Sequence, residues 1–353
     1  MMNRRTFLAA LPVLASARDL LGAAGPGTAS QRLGLGSFSC HFQWKAVTDH
    51  HPGTSFTDTP SFYEYARKLG AEGVQARLGT RDVDVARRIR TRVEETGGCF
   101  EAELTLPAAE GNLADFENDV RLAREAGAGV ARAVLLSGRR YETFKTADDF
   151  REYRLRSERS LTLAEPVVKK HRLKLAIENH KDRTASEMLE TLRKLGSDWV
   201  GICVDLGNNI ALLEDPQEVV RTLAPLALSV HLKDMAVEMT DEGFLLSEVP
   251  LGTGMLDLPE MIRTLTAANP GIVFNLEMAT RDPLKVPCLT PDYWATFPER
   301  PAAELATALT RLRGHSSKQP LPRIAGKMAA EQVLLEEENN RSCISWARQN
   351  LGF

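Results

Sequence analysis

The chain has 353 residues, of which 43% are hydrophobic, and its 44 basic and 47 acidic side chains leave a formal net charge of −3. This length is sufficient for one large core. The balanced charge excludes the basic excess that is typical of nucleic-acid-binding proteins. The five cysteines are scattered and form no C-x-x-C pair, so they indicate neither a disulfide framework nor a thiolate zinc site.

Residues 1–30 have the pattern of an export signal. A basic start with Arg4 and Arg5 is followed by Thr6-Phe7-Leu8, a short apolar stretch and then small residues. The apolar stretch is too short to span a membrane, and the paired arginines resemble a twin-arginine signal. We therefore expect a periplasmic or otherwise exported protein, with no stable membrane anchor after cleavage of the signal and a folded domain that begins at residue 31.

Short apolar segments alternate with amphipathic segments after the signal. The predicted strands lie at residues 33–39, 73–78, 99–106, 130–136, 174–180, 200–206, 228–233 and 272–278. The predicted helices lie at residues 61–69, 82–96, 113–126, 148–171, 185–195, 216–226, 258–268 and 302–313. This alternation predicts an α/β fold, a (β/α)8 TIM barrel over residues 31–315. A doubly wound sheet is the alternative, but no G-x-G-x-x-G motif follows a predicted strand.

Three segments depart from a minimal barrel. Residues 236–254 are an insertion after the seventh predicted strand, and its Thr240-Asp241-Glu242-Gly243 sequence is typical of a hairpin turn. Residues 281–298 are a long loop whose Tyr293, Trp294 and Phe297 either stack on a sugar or hold the loop in place. Residues 316–353 are a C-terminal helical extension, which we expect to cap the barrel or to mediate homo-oligomer formation.

Four successive predicted strands each carry a potential metal ligand near their end, namely Glu178, Asp205, His231 and Glu277. Side chains alternate along a strand, and the carboxyl ends of barrel strands meet at one face, so we expect these four groups to converge. Three carboxylates in a small space repel one another unless a cation neutralises them. Three carboxylates and one imidazole suit Mn²⁺ or Mg²⁺, with Co²⁺ or Zn²⁺ as alternatives.

Five motifs together resemble the xylose isomerase-like TIM barrel superfamily of sugar phosphate isomerases and epimerases. They are I-E-N-H, V-D-L-G-N, V-H-L-K-D, P-L-G-T-G-M-L-D and N-L-E-M. The resemblance covers about residues 33–313 and implies that Glu178, Asp205, His231 and Glu277 are the metal ligands. In ketose-epimerase relatives a histidine occupies the position of Asn208. This departure weakens the prediction of a simple ketose epimerase.

The resemblance also implies a reaction. The expected activity is that of a divalent-metal-dependent sugar isomerase or epimerase, in which the metal acts as a Lewis acid and stabilises an enediolate. Glu178 and Glu277 would remove and return the proton next to the carbonyl, on opposite faces of the substrate. We expect Asp234 to orient His231 or to hold the neighbouring loop. The predicted substrate-binding residues are His180, Asn208, Lys233, Arg281, Gln75 and His41, with Arg77 and Glu103 as weaker candidates.

Export favours a non-phosphorylated sugar or sugar derivative, because phosphorylated central metabolites are cytoplasmic. The main alternative is a metal-dependent lyase or hydratase on a 3-keto-sugar or 3-keto-glycoside, since its first step is the same proton abstraction. A third hypothesis is an endonuclease that cuts abasic DNA, but the charge of −3 and the seven histidines argue against it. A fourth is a non-catalytic sugar-binding protein, which would not need four metal ligands.

Overall fold

Eight parallel strands close into a barrel. The structure is a computed structural model that describes residues 31–51 and 54–353, so the predicted export signal lies outside the described residues. The strands in this part of the chain are β1 (Arg32–Gly36), β2 (Gly73–Ala76), β3 (Cys99–Glu103), β4 (Val130–Ala133), β5 (Lys174–Glu178), β6 (Val200–Asp205), β7 (Ala227–Leu232), β8 (Asp234–Thr240), β9 (Gly243–Val249), β10 (Val273–Leu276) and β11 (Leu284–Val286). The barrel order is β1-β10-β7-β6-β5-β4-β3-β2, which confirms the predicted fold.

Helices surround the barrel, and most of them match a predicted segment to within a few residues. Those in the described residues are α1 (His41–Thr48), α2 (Thr59–Leu69), α3 (Val83–Thr96), α4 (Leu113–Glu125), α5 (Arg140–Thr143), α6 (Ala147–Lys170), α7 (Ala185–Leu195), α8 (Pro216–Leu223), α9 (Leu258–Ala268), α10 (Pro291–Trp294), α11 (Ala302–Gly314) and α12 (Ala329–Asn350). A capping box of Thr184 and Glu187 begins α7, and Gly196 ends it in the left-handed conformation, with φ of 62°. None of the helices in this part of the chain is long and apolar enough to cross a bilayer.

The insertion after β7 forms the predicted hairpin. Strands β8 and β9 are antiparallel, and their pairing ends at Thr240 and Gly243. Strand β11, which lies in a segment predicted to be a loop, pairs with β9 as a third strand. A strand of three residues is too short to produce a recognisable alternation in the sequence. Three aromatic side chains of the following loop pack together in a second core with Tyr141, namely Tyr293, Trp294 and Phe297.

The C-terminal helix α12 packs directly on the barrel. Its Cys343, Ile344 and Ala347 belong to the main core, whereas the buried residues of α11 belong to the second core beside the hairpin. Helix α12 contacts both α2 and β10, and residues 31–353 form one compact unit. Helix α12 therefore covers the last barrel strand, β10. In a minimal barrel the predicted helix at residues 302–313 would take this position.

Candidate metal centre

The four predicted ligands meet where neighbouring barrel strands end. Glu178 ends β5, Asp205 ends β6, His231 lies in β7, and Glu277 directly follows β10. One ligand atom of each side chain lies within 4.8 Å of those of the other three, and all four residues are buried. The parallel register pairs Asp205 with His231, which places their side chains at the same height in the barrel.

Nδ1 of His231 is at the centre of this cluster. It lies 3.3 Å from Oε1 of Glu277, 3.6 Å from Oε2 of Glu178 and 3.7 Å from Oδ2 of Asp205. Nδ1 of His231 and Oδ2 of Asp205 are buried without a hydrogen-bond partner. Because buried polar atoms are rarely left without one, these two atoms indicate a position where a ligand binds.

Arg132 and Asn208 hold the carboxylate of Glu178. Nε of Arg132, in β4, donates to Oε2 at 2.7 Å, and Nδ2 of Asn208 donates to Oε1 at 2.9 Å. Burial raises the pKa of Glu178, but the positive charges of Arg132 and His231 outweigh burial and lower it well below its ordinary value. Glu178 is therefore a carboxylate at neutral pH.

Lys233 joins two of the other carboxylates. Its Nζ donates to Oε2 of Glu277 at 2.5 Å. Nζ also forms an ion pair with Oδ2 of Asp205, at 2.6 Å. Burial raises the pKa of Glu277, and His231 and Lys233 outweigh this effect and lower it well below the ordinary value. Glu277 is therefore ionised as well.

Gln75 and Glu101 fix the orientation of the His231 ring. Nε2 of Gln75 donates to Oε2 of Glu101 at 2.9 Å, which leaves its Oε1 2.6 Å from Nε2 of His231. An amide oxygen only accepts, so Nε2 of His231 carries a proton in this network, and Nδ1 faces the carboxylates. Oε2 of Glu101 also accepts hydrogen bonds from Ser229 and Asn275, at 2.6 and 2.8 Å. Metal-binding histidines are typically held by such a second partner.

The donor set fits a divalent metal. It combines three ionisable carboxylates with one imidazole, and among the described residues Nδ1 of His231 and Oδ2 of Asp205 accept or donate no hydrogen bond. Oxygen-rich sites of this kind suit Mn²⁺ or Mg²⁺, and Co²⁺ or Zn²⁺ accept the same ligand types. The cluster can therefore hold a divalent metal.

A cavity of about 440 Å³ borders the cluster. Six basic side chains line it, namely Arg77, Arg132, Arg139, Lys181, Lys233 and Arg281, against the three carboxylates of Glu103, Glu178 and Glu277. Its lining also includes His180 and Asn208, so four of the six predicted substrate-binding residues are at its wall. Burial, aided by Lys181, lowers the pKa of His180 to about 4, which makes this imidazole neutral at physiological pH.

Two predicted substrate-binding residues, Gln75 and His41, do not line this cavity. Gln75 is buried against His231, as described above, and is better explained as a residue that positions the ring. The first strand ends at Gly36, earlier than predicted, because a short helical segment (Ser37–Cys40) follows it. His41 therefore lies at the start of α1, where its Nδ1 donates to the carbonyl oxygen of Phe38 at 3.1 Å.

Asp234 holds the glycine-containing turn that follows the hairpin. Its Oδ2 accepts the backbone N–H groups of Gly252 and Gly254, at 3.0 and 2.9 Å. A Cβ atom on Gly254 would lie 2.2 Å from Oδ1 of Asp234, so only glycine fits there. Of the two predicted roles for Asp234, the structure supports the one that holds the loop.

The sequence analysis missed Arg132, Lys181 and Glu248. Arg132 is the one charged residue of β4, and Lys181 belongs to the H-K-D-R run that follows β5. Glu248 lies in the inserted strand β9, and Nε of Arg281 donates to its Oε2 at 3.0 Å. Burial raises the pKa of Glu248, but Arg281 and Lys233 outweigh burial and lower it to about 2. The sequence signal that could have identified Arg132 and Glu248 is a charged residue within a largely apolar strand, β4 or β9.

Comparison with known proteins agrees with this architecture. The sequence model of the family described as xylose isomerase-like TIM barrel matches residues 63–312. A 3-oxo-isoapionate decarboxylase from Pectobacterium atrosepticum is 31% identical over 102 residues, which are 28% of this chain and only 37% of that relative.

Two solved structures extend the comparison. The structure of a D-psicose 3-epimerase covers 92% of this chain and 100% of its own, with 15% identity and a TM-score of 0.57. That of a 3-keto-D-glucoside 4-epimerase from E. coli covers 80% of this chain and 99% of its own, with 15% identity and a TM-score of 0.50. At these identities the likeness concerns the fold alone.

Proposed function

The chain belongs to the xylose isomerase-like TIM barrel family, and on this premise we propose that it is a divalent-metal-dependent isomerase or epimerase of a non-phosphorylated sugar or sugar derivative. The observation that carries the proposal is the approach of Glu178 and Glu277 to Nδ1 of His231 from two strands, β5 and β10, that are not adjacent in the barrel. Two carboxylates at different sides of one site suit the removal and return of a proton.

In the proposed reaction, Glu178, Asp205, His231 and Glu277 hold the metal. The bound ion would supply Lewis-acid stabilisation of the negative charge that develops on the substrate oxygens. In the free protein both glutamates are carboxylates at neutral pH, since Arg132 lowers the pKa of Glu178, and His231 and Lys233 lower that of Glu277. One of them removes the proton from the carbon next to the carbonyl, and the other, after taking up a proton from solvent, donates it to that carbon or its neighbour. The hydrogen bonds of Arg132 and Asn208 keep Glu178 in a fixed orientation.

A lyase is the second candidate function. This candidate is supported by the similarity to a 3-oxo-isoapionate decarboxylase, which extends over 102 residues of the chain. In a decarboxylation, the bond between the carboxylate carbon and its neighbour breaks, and the electron pair moves towards the adjacent carbonyl oxygen as carbon dioxide leaves. A glutamate that has taken up a proton from solvent then donates this proton to the carbon. The same residues would serve a β-elimination, which starts with removal of the proton beside the carbonyl.

Solvent deuterium uptake tests the proposal. The Mn²⁺-loaded protein is incubated in D₂O with free ketoses, 3-keto-glycosides and 3-oxo sugar acids, and the products are followed by NMR spectroscopy. We expect deuterium beside the carbonyl of at least one compound, with rates at least about 100-fold lower in Glu178→Gln and Glu277→Gln. Glu94→Gln, which changes an exposed residue of α3, is the matched control. Unchanged exchange in both site variants would overturn the mechanism.

The product distinguishes the two candidate functions. A second diastereomer or positional isomer indicates an isomerase or epimerase, whereas carbon dioxide or an unsaturated sugar indicates a lyase.

We also propose export by the twin-arginine route, which is supported by Arg4 and Arg5 in the sequence. This location favours substrates without phosphate.

A further inference from the structure

Lys181 is a buried lysine that has no acidic partner in the described part of the chain. Its side chain lines the cavity beside the candidate metal centre, and the residue is 3% exposed. Its Nζ donates a hydrogen bond to Oδ1 of Asn208, a neutral amide, and among the described residues it forms no ion pair with a carboxylate. Buried ammonium groups are normally paired, because an isolated charge in a protein interior is costly.

The other basic residues of the cavity have partners or face solvent. Arg132, Lys233 and Arg281 pair with carboxylates of the cluster or the hairpin, and Arg139 pairs with Glu142. Arg77 also lacks an acidic partner but is exposed, so water compensates its charge. Lys181 alone combines burial in this wall with the absence of a counter-ion.

The nearby charges add to this imbalance. Burial, together with the positive charges of Arg281 and Lys233, outweighs the more distant carboxylates of Glu248 and Asp205 and lowers the pKa of Lys181 to about 8. The group is still mostly protonated at neutral pH. An ammonium group has three N–H donors, and the bond to Asn208 uses one of them, so two are left for a ligand in the cavity.

We propose that Lys181 binds the carboxylate of the substrate, so that the sugar derivative handled by this site is a sugar acid. This inference rests on the proposed function, because it assigns the substrate class of the same site. A carboxylate carries a single negative charge, which matches the single uncompensated positive charge of the wall. A phosphate monoester carries about −1.5 to −2 charges and typically engages several donors, and the neighbouring cations are already paired.

Matched polyols test the proposal by equilibrium binding. Isothermal titration of the Mn²⁺-loaded protein compares D-glucitol with D-gluconate and with D-glucitol 6-phosphate, each of which differs from D-glucitol at one terminal carbon, and then xylitol with D-xylonate. We expect the aldonates to bind at least about tenfold more tightly than their alditols. In Lys181→Met the preference falls below about twofold, whereas Lys285→Met, which removes an exposed charge from β11, keeps it.

Thermal unfolding of the ligand-free variants provides a second measurement that needs no ligand. Because Lys181 has no counter-ion among the described residues, Lys181→Met should lower the melting temperature no more than Gln43→Met, which also removes one buried hydrogen bond to a neutral group. A clearly larger fall than in Gln43→Met would mean that the charge of Lys181 stabilises the fold, and would overturn the proposal.

Three binding results would also overturn the proposal: alditols that bind the wild type as tightly as aldonates, no aldonate binding at the highest soluble concentration, or an undiminished preference in Lys181→Met. Tighter binding of the 6-phosphate than of both aldonates would assign the wall to phosphate instead. Deuterium exchange on neutral ketoses without aldonate binding would refute this inference and leave the proposed function intact. Aldonate binding through Lys181 without exchange on any substrate would refute the proposed function and leave this inference intact.

Discussion

Oε1 of Gln75 lies 2.6 Å from Nε2 of His231, and this hydrogen bond turns the other ring nitrogen towards three carboxylates. The contact joins β2 to β7 across the interior of the barrel. Glu101 holds the amide group of Gln75 from the other side, at 2.9 Å. A side chain that never touches the cavity thus determines how the imidazole of His231 faces the candidate metal position.

We predict that Gln75→Met weakens metal binding by roughly 10–100-fold, because His231 loses the acceptor that fixes its ring. Titration with Mn²⁺ measures the dissociation constant. Gln43→Met is the matched control, since Gln43 is also fully buried but bonds Tyr65 at 3.0 Å, outside the cluster. Each substitution should cost about 1–3 kcal/mol of stability. Equal metal affinities for the two variants would contradict the positioning role.

A second prediction concerns the pH dependence of stability. Glu336 of α12 is buried, and its carboxylate accepts the backbone N–H groups of Phe42 and Gln43 at 2.8 and 3.1 Å. Burial dominates over these bonds and raises the pKa of Glu336 to about 8. The folded chain therefore keeps a proton that the unfolded chain releases at about pH 4.3.

The sign of the effect follows from this difference. The contribution of Glu336 to the free energy of unfolding is complete below about pH 4.3 and falls, by up to about 1.4 kcal/mol per pH unit, as the pH rises towards 8. Urea denaturation over this range should show a steeper decline in the wild type than in Glu336→Gln, which keeps only the contributions of other buried carboxyl groups such as Asp182 and Glu214. Glu338→Gln, an exposed change on the same helix, should follow the wild type. Parallel profiles for wild type and Glu336→Gln would contradict the prediction.

The third prediction concerns export. In a host with a twin-arginine pathway, the wild-type chain should reach the periplasm, and the double variant Arg4→Lys with Arg5→Lys should stay in the cytoplasm, because this pathway recognises the arginine pair. Cell fractionation and immunoblotting measure the distribution. Arg18→Lys changes an arginine outside the pair and should be exported normally. Export of the double variant at the wild-type level would show that another route carries the protein.

The barrel and the convergence of Glu178, Asp205, His231 and Glu277 could be anticipated because both depend on local periodicity. Alternation along a strand determines which side chains share a face, and parallel strands bring their carboxyl ends together. The roles of these residues as metal ligands and proton carriers stay predictions. The turn sequence Thr240-Asp241-Glu242-Gly243 also predicted the hairpin, because the residues that form a turn are local.

Other features depend on contacts between distant segments, which a single sequence does not reveal. Gln75 was expected at the substrate, but its contact with His231 crosses the barrel interior. The partner of Arg281 is Glu248, and it comes from the inserted hairpin. Helix α12 follows a polar link, so its pattern alone could not show that it packs on β10 in place of the preceding helix.

Metal binding by wild type and Asp205→Asn is the most direct test of the candidate centre. After dialysis against Mn²⁺, the wild-type chain should retain a single ion. The affinity of Asp205→Asn for Mn²⁺ should fall by more than the roughly 10–100-fold expected for the loss of a residue that only orients a ligand, such as Gln75. Asp182→Asn is the matched control, because Asp182 is equally buried but bonds Tyr153 outside the cluster. A wild-type chain that binds none of Mn²⁺, Mg²⁺, Co²⁺ or Zn²⁺, or an Asp205→Asn variant with undiminished affinity, would contradict the metal centre.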